Sequence, residues 1–286
     1  MNKISNRKFF KTVLIGIFAL ILLSAAGVLL FIGNTLKNVS EVSPTIMAQY
    51  LADYKDTGNS ETALNEKEVN RVVISIDEMS PALLNAFIST EDKTFWNHNG
   101  FSSEKLLDTV VDILSPSVKL GSKSTITQQL ARNLFLTEVR TSNALNRKIQ
   151  EAYYTIELEK NLSKDQILEA YLNQIYLGAS TSGVEAASEK YFSKKADELT
   201  VVEAALLAGI PKSPATYSPI LIKKREDVTI NDYVMDDSDI RYVSVFNPHC
   251  IDRYLVIIEL MKQNGYITSS EYQAARSADI KALLVH

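Results

Sequence analysis

The apolar pattern of the chain is longest near the N-terminus, where residues 12–36 contain no charged side chain. A run of about 25 residues is long enough to cross the ~30 Å hydrocarbon core of a bilayer as a helix. Basic residues precede this run without any acid, which predicts a cytoplasmic N-terminus and places residues 37–286 on the outer side of the membrane. A cleaved signal peptide is the alternative, but the apolar run continues past the small residues 24–26, and this favours a retained anchor.

The next apolar pattern predicts an amphipathic helix that ends on a carboxylate. Ser80 can cap the first turn, and a proline follows at the first helical position. The inward face then has the spacing i, i+3, i+4, i+7, with Leu84, Phe87, Ile88 and Glu91. A carboxylate that is partly shielded in this way suits a general base, although a glutamate that bends out to water is the plainer interpretation.

A second helix is predicted to begin at Ser124, with Ile126, Leu130 and Leu134 facing inward. Another face of this helix carries Ser124, Gln128 and Arg132 at i, i+4, i+8. The unpaired N–H groups of a helix start attract anions, and Lys123 adds positive charge. An ordinary cap followed by a solvated polar face is the alternative.

A third helix is predicted to use a core stripe of Leu145, Ile149, Ala152 and Ile156. Lys148, Glu151 and Thr155 then fall on its flank. At this spacing, surface ion pairing of the glutamate is the plain interpretation.

The rest of the pattern is mostly helical. Residues 71–76 suggest a short strand, residues 163–166 and 268–271 have the sequence of capping boxes, and residues 201–210 predict a buried helix. Residues 221–250 mix charges and predict an exposed excursion, followed by helices over 254–261 and 268–278. With only 10 glycines and 7 prolines, the composition favours long helices.

Composition excludes several kinds of site. The single cysteine excludes an intrachain disulfide and a Cys-rich metal centre, and the three histidines lack ligand spacing, so we expect no metal site in the protein itself. The net charge is −4, and the four basic residues of the N-terminal tail leave the remainder more acidic still. This argues against a nucleic-acid partner.

Five sequence blocks are more specific than these local patterns, because they occur in the order found in one enzyme family. They are Glu91-Asp92 with Phe95, His98 and Gly100; Ser124-Thr125-Ile126-Thr127-Gln128-Gln129-Leu130; Arg147-Lys148-Ile149 with Glu151; Ile167-Leu168-Glu169 with Tyr171-Leu172-Asn173 and Tyr176-Leu177-Gly178; and Leu206-Leu207-Ala208-Gly209-Ile210-Pro211 with Pro214 and Tyr217. The chain therefore resembles glycosyltransferase family 51, the peptidoglycan glycosyltransferases found alone or fused to transpeptidases in class A penicillin-binding proteins. The resemblance covers about residues 74–219, with a weaker tail at 253–275.

The resemblance implies a mainly α-helical, lysozyme-like glycosyltransferase domain preceded by the one transmembrane helix. It also implies a small membrane-apposed lobe within residues 101–123. The expected organisation is a cytoplasmic tail and transmembrane helix (1–36), a spacer (37–70), a catalytic domain (71–220) and a C-terminal helical extension (221–286). The sequence leaves open whether the chain is a monofunctional enzyme or the front of a bifunctional one.

The implied reaction is polymerisation of lipid II into glycan strands, with a β-1,4 bond formed and undecaprenyl diphosphate released. By resemblance, Glu91 is the general base on the acceptor hydroxyl, and Glu151 is similar to the second glutamate, which assists on the donor side. Resemblance also assigns substrate binding to Lys123, Ser124, Thr125, Gln129, Arg132, Asn133, Arg147 and Lys148, with Asp92, Phe95, His98 and Gly100 as motif support. Two positions depart from the family, which usually has a lysine in place of Arg132 and a small residue in place of Lys123.

These assignments require no cofactor, although a divalent cation (Mg or Mn) fits beside a diphosphate. The expected partners are lipid II, the growing glycan strand, membrane lipid and other cell-wall synthesis proteins, with no nucleic acid. The expected location is the cell membrane, with a single pass and an extracellular or periplasmic catalytic domain. Two alternatives are a lysozyme-like glycan hydrolase, which has no diphosphate to bind, and a catalytically silent membrane scaffold, which has no need of both glutamates.

Overall fold

The computed structural model describes residues 26–27, 29–37, 71–103, 105, 124–136 and 144–285. Most of the predicted anchor (12–36), most of the spacer (37–70) and most of the predicted lobe (101–123), including Lys123, lie outside these residues. Within the described parts, no helix combines the length and the apolar character needed to cross a membrane.

The described chain is mainly helical, as predicted. Residues 29–36 are helical. The helices that follow residue 80 are, in chain order, α1 (Pro81–Glu91), α2 (Ile126–Phe135), α3 (Ala144–Asn161), α4 (Lys164–Gln174), α5 (Val184–Phe192), α6 (Val201–Gly209), α7 (Pro214–Tyr217), α8 (His249–Gln263), α9 (Ser269–Arg276) and α10 (Ile280–Leu283).

The centre of the core is α6, which packs against α1 and α8. Thr200 caps this helix, and every residue from Glu203 to its end at Gly209 is buried, which confirms the predicted buried helix. Helix α1 begins as predicted, because the Ser80 side chain accepts a hydrogen bond from the Leu83 N–H at 3.1 Å. Helix α2 packs against α3 and α4, and its buried residues join the same hydrophobic core. The site described below lies where α1 ends and α2 begins.

Residues 71–76 do not form a strand, so that prediction is wrong. The main chain of Ile74 bonds instead to the side chain of Asn173, which accepts from its N–H at 3.0 Å and donates to its carbonyl at 2.8 Å. Further along this segment, the N–H of Ile76 donates to the Glu169 carboxylate at 3.0 Å. Side chains of α4 thus supply the partners that a neighbouring strand would have supplied.

Much of the predicted excursion over 221–250 is a small antiparallel sheet. Its strands are β1 (Ile220–Lys224), β2 (Val234–Asp236) and β3 (Tyr242–Phe246), in the order β1-β3-β2. Met235, Val243 and Val245 are buried on its inner face. The sequence hid this sheet because its strands are short and lie among charged residues. Exposed apolar residues such as Ile222 and Val234 also break the alternation that marks a half-buried strand. The helices predicted after it are present as α8 and α9, and Thr268 caps α9 in a capping box with Glu271.

The interior face of α3 differs from the prediction. Glu151, Tyr154, Thr155 and Leu158 are buried, whereas Ile156 is 43% exposed. The predicted apolar stripe is therefore wrong, because polar groups on the opposite side of this helix find partners inside the protein.

Candidate active site

Glu91 is the last residue of α1, and two successive hydrogen bonds hold its half-buried side chain. The Gln129 side-chain N–H donates to Glu91 Oε2 at 2.9 Å, and the Gln129 amide oxygen accepts from the Tyr171 hydroxyl at 3.4 Å. Burial, followed by the negative charge of Glu91, raises the pKa of Tyr171 well above its ordinary value. Tyr171 therefore remains a donor, and it fixes the Gln129 amide so that its N–H group points at the carboxylate.

The next residue, Asp92, is fully buried and ties the end of α1 to the start of α2. Its carboxylate lies 3.0 Å from His98 Nε2, 3.1 Å from the N–H of Ile126 and 3.3 Å from Lys105 Nζ. Burial alone raises the pKa of a carboxyl group. The His98 hydrogen bond, the Lys105 charge and the Ile126 N–H together outweigh it and hold the pKa of Asp92 below its ordinary value. Asp92 is thus a buried anion with a structural task.

The hydrogen bonds of His98 define its tautomer. The N–H of Gly100 donates to Nδ1 at 3.1 Å, so this nitrogen is an acceptor and the ring proton lies on Nε2, where it donates to Asp92. Phe95 is buried beside the imidazole, with its ring at 89° to it. Asp92, Phe95, His98 and Gly100 therefore form one supporting cluster beneath Glu91.

Helix α2 begins at Ile126, two residues later than predicted, and Thr125 is its N-cap. The Thr125 hydroxyl accepts from the Gln128 N–H at 3.1 Å and donates to the Gly100 carbonyl at 2.7 Å. Thr125 is fully buried, so its visible contribution is to hold the loop, and direct contact with a substrate stays a prediction. The hydroxyl of Ser124 instead lies near α3, 3.4 Å from Lys148 Nζ.

The local spacing of Glu151 suggests an ordinary surface ion pair. Its side chain is only 1% exposed, so that interpretation is wrong. Its two carboxylate oxygens lie 2.6 Å from Lys148 Nζ and 3.5 Å from an Arg132 terminal nitrogen. The side chains of these cations are 44% and 39% exposed. A buried anion therefore orients two cations that still present charge to the solvent, an arrangement suited to an incoming anionic group.

Short polar contacts connect the two glutamates. Gln129 reaches both Glu91 Oε2 and the Ser124 carbonyl, the latter at 3.4 Å, while the Ser124 hydroxyl meets Lys148, the partner of Glu151. The structure thus brings together the predicted residues Glu91, Ser124, Gln129, Arg132, Lys148 and Glu151. Asn133 and Arg147 are half-buried and make no hydrogen bond or ion pair with another described site residue.

Sequence reasoning missed Lys105, which is the described residue with the most contacts to this site outside the predicted set. Its ammonium group donates to the Glu91 carbonyl at 2.6 Å and to the Ser124 carbonyl at 3.2 Å, in addition to its ion pair with Asp92. It lies in the stretch predicted as a lobe, and no local pattern marks it, because both of its carbonyl partners are distant in sequence.

Comparisons with known proteins point to one family. A family model described as transglycosylase matches residues 57–237. The chain is 38% identical over 279 residues to penicillin-binding protein 1A of Clostridium acetobutylicum, a match that covers 93% of this chain and 32% of the relative. It is 35% identical over 279 residues to penicillin-binding protein 1A of Escherichia coli K12, covering 96% of this chain and 29% of the relative. It is 46% identical over 170 residues to penicillin-binding protein 2D of Bacillus subtilis, covering 59% and 23%. The chain spans about a third or less of the length of these curated relatives.

Proposed function

This chain belongs to the transglycosylase family, and we propose that it is a peptidoglycan glycosyltransferase that joins lipid II units into glycan strands during cell-wall synthesis. The observation that carries the proposal is the linked pair of glutamates, one half-exposed and one buried beneath two outward cations. A glycosyl transfer from a diphosphate needs these two functions side by side, a base for the acceptor and positive charge for the leaving group.

On the acceptor side, Glu91 is the proposed general base. Its carboxylate removes the proton of the acceptor 4-hydroxyl while that oxygen attacks the anomeric carbon of the donor sugar. The hydrogen bond from Gln129 orients the carboxylate but occupies only one of its oxygens in the described contacts. The other oxygen is then the one that takes the proton.

On the donor side, Arg132, Lys148 and the Ser124 hydroxyl are the proposed diphosphate site. The bond between the anomeric carbon and the diphosphate breaks, its electron pair stays on the phosphate oxygen, and the configuration at the carbon inverts. The developing charge meets two cations that Glu151 already holds in place, so little reorganisation is needed in the transition state. Glu151 acts in this account by positioning those cations.

The same geometry weighs against the two alternatives. A hydrolase acting on polymeric glycan has no diphosphate to bind, so the paired cations next to Glu151 would have no task in it. A catalytically silent scaffold would not need Glu91 to be oriented by a side-chain amide that a buried phenol holds in place.

A divalent cation, Mg or Mn, remains part of the proposal only as a companion of the substrate. In the described parts of the chain, no three His, Cys, Asp or Glu side chains gather into a metal site. Both oxygens of Glu151 already lie in ion pairs. Such an ion would therefore be held mainly by phosphate oxygens, which are the ligands that Mg prefers.

We also propose that residues 12–36 anchor the protein in the cell membrane, with the N-terminus in the cytoplasm and the catalytic part outside. The lysozyme-like fold, the membrane-apposed lobe in 101–123 and contacts to other cell-wall synthesis proteins belong to the same proposal. An anchor of this kind keeps the site at the surface where the lipid carrier of the substrate lies.

Incubation of the purified protein with lipid II in detergent tests the function directly. The expected result is consumption of lipid II and a ladder of longer glycan products on sizing gels. Shortening of preformed glycan with lipid II left intact would indicate the hydrolase instead. If neither lipid II nor preformed glycan is consumed, the catalytically silent scaffold is the remaining alternative.

A further inference from the structure

Lys105 lies at the junction of the two halves of the site. Its side chain is 17% exposed, and its ammonium group contacts three acceptors, the carbonyl of Glu91, the carbonyl of Ser124 and the carboxylate of Asp92. The first and third of these belong to the end of α1, and the second belongs to the loop that enters α2. One cation thus joins the residue proposed as the base to the loop proposed to hold the diphosphate.

The contacts of Lys105 form a closed circuit with those of Gln129. The Ser124 carbonyl accepts from both Lys105 Nζ and the Gln129 side chain, and Gln129 also donates to the Glu91 carboxylate. Glu91 is therefore tied to the same carbonyl through its main chain and through its side chain. Loss of the Lys105 tie leaves only the Gln129 side chain to hold the carboxylate relative to the loop.

The charge of Lys105 suits this position. The carbonyl groups at the C-terminal end of α1 carry partial negative charge, and the carboxylate of Asp92 next to them is buried. The Gly100 N–H donates to His98 Nδ1, so among the described residues Lys105 is the one that brings a permanent positive charge to Asp92. Without it, two sources of negative charge would lie directly behind the proposed base.

We propose that Lys105 is a positioning residue, which fixes the separation between the Glu91 carboxylate and the Ser124 hydroxyl and hence between acceptor and donor. This inference rests on the proposed glycosyltransferase function. Lys105 acts through its neighbours, with its ammonium group directed at protein acceptors. A displacement of ~1 Å in a reacting pair can lower a rate by about 10². The contacts of Lys105, which we call the Lys105 clamp, should therefore affect turnover more than substrate binding.

Two substitutions and one control separate this role from general stability. Lys105→Met removes the charge and the donors but keeps a similar length, whereas Lys105→Arg keeps both charge and donors. The control is Lys194→Met, because Lys194, in the turn after α5, also pairs with a buried carboxylate, that of Glu203 in the first turn of α6, at 2.6 Å. All proteins are assayed with lipid II in detergent, and turnover is expressed per folded molecule.

The expected result for Lys105→Met is a fall in kcat of about 10- to 100-fold with KM for lipid II changed far less. Lys105→Arg should recover most of this loss. Lys194→Met should melt at a lower temperature but keep the wild-type kcat. A Lys105→Met protein with wild-type kcat, or an Arg variant as impaired as the Met variant, overturns the proposal.

Amide hydrogen exchange gives a second readout that does not depend on activity. Lys105→Met should speed exchange in residues 124–129, including the Ile126 N–H, which donates a hydrogen bond to Asp92. Lys194→Met should leave exchange in this segment unchanged. Unchanged exchange in this segment contradicts the clamp even if the rate falls. Absence of polymerisation by the wild-type protein contradicts the proposed function instead, while the exchange comparison still decides the role of Lys105.

Discussion

Asp92 illustrates how a residue within the candidate site can serve structure first. Its buried carboxylate joins α1 to the first N–H of α2, and its pKa is held below the ordinary value by His98, Lys105 and Ile126 despite burial. A carboxyl group with a lowered folded pKa stabilises the protein fully above the ordinary pKa, and the stabilisation is lost as pH falls through the folded value.

Asp92→Asn is therefore expected to destabilise the protein by about 2 kcal/mol near pH 7. The difference from wild type should persist down to about pH 4 and shrink only below it, because the wild-type carboxyl group protonates there. Urea unfolding at several pH values measures this, with Glu226→Gln as the control, since the side chain of Glu226 is 76% exposed. A difference that vanishes between pH 7 and pH 5 would assign the effect to another group.

At the level of single residues, the sequence identified the candidate site residues but not their burial or all of their contacts. Glu91, Ser124, Gln129, Arg132, Lys148 and Glu151 are brought together by the fold, and family blocks were sufficient to find them. The burial of Glu151 could not be predicted, because it depends on Arg132 approaching from α2. Lys105 had no signal at all, since its partners become neighbours only when α1 and α2 meet.

At the level of elements, local signals were reliable wherever the stabilising contact is itself local. The capping boxes that begin α4 and α9 were predicted, because both partners lie within one turn. The strand at 71–76 failed because its hydrogen-bond partners are side chains of Asn173 and Glu169, about a hundred residues away. The sheet of β1, β2 and β3 was missed for the related reason that its pairing is not encoded in any one strand.

The chain turns shortly after α1 at Gly100, which has a φ of +86° and lies against α3. A Cβ atom at this position would come within 2.5 Å of the Thr155 methyl carbon. Gly265 has a similar φ of +77° but nothing within 4 Å of its Cβ position, so it isolates the backbone effect.

Gly265→Ala is expected to cost about 1 kcal/mol from its backbone conformation alone. Gly100→Ala should cost clearly more, and it should also lower activity, because its carbonyl holds the capping hydroxyl of Thr125. Thermal melting and lipid II turnover of both variants provide the test. Equal losses of stability would mean that the contact with α3 is unimportant.

At the level of the whole molecule, the helices that follow the sheet pack into the same hydrophobic core as the helices that carry the site. Helix α8 packs against α1 and α6, and its residues Tyr254, Ile257, Ile258 and Met261 are all buried. The division into a catalytic domain (71–220) and an extension (221–286) stays a prediction. The packing nevertheless shows that α1, which ends at Glu91, relies on α8 for part of its burial.

A chain that ends at residue 246 is therefore expected to lose cooperative unfolding, because α1 and α6 would expose apolar surface. Calorimetry and limited proteolysis, compared with the full chain, measure this. A truncated chain that melts cooperatively and still polymerises lipid II would establish the shorter catalytic domain and contradict the expected dependence on α8.

The central claim is that Glu91 is the base of a lipid II polymerase, and a single substitution tests it most directly. Glu91→Gln keeps an oxygen to accept the Gln129 hydrogen bond, so the fold should be preserved, as thermal melting can verify. Glu259→Gln on the exterior of α8 is the matched control. We expect the rate of lipid II polymerisation to fall by about 10²–10⁴ in Glu91→Gln and to stay unchanged in the control. A folded Glu91→Gln protein that polymerises lipid II at nearly the wild-type rate would contradict the central claim.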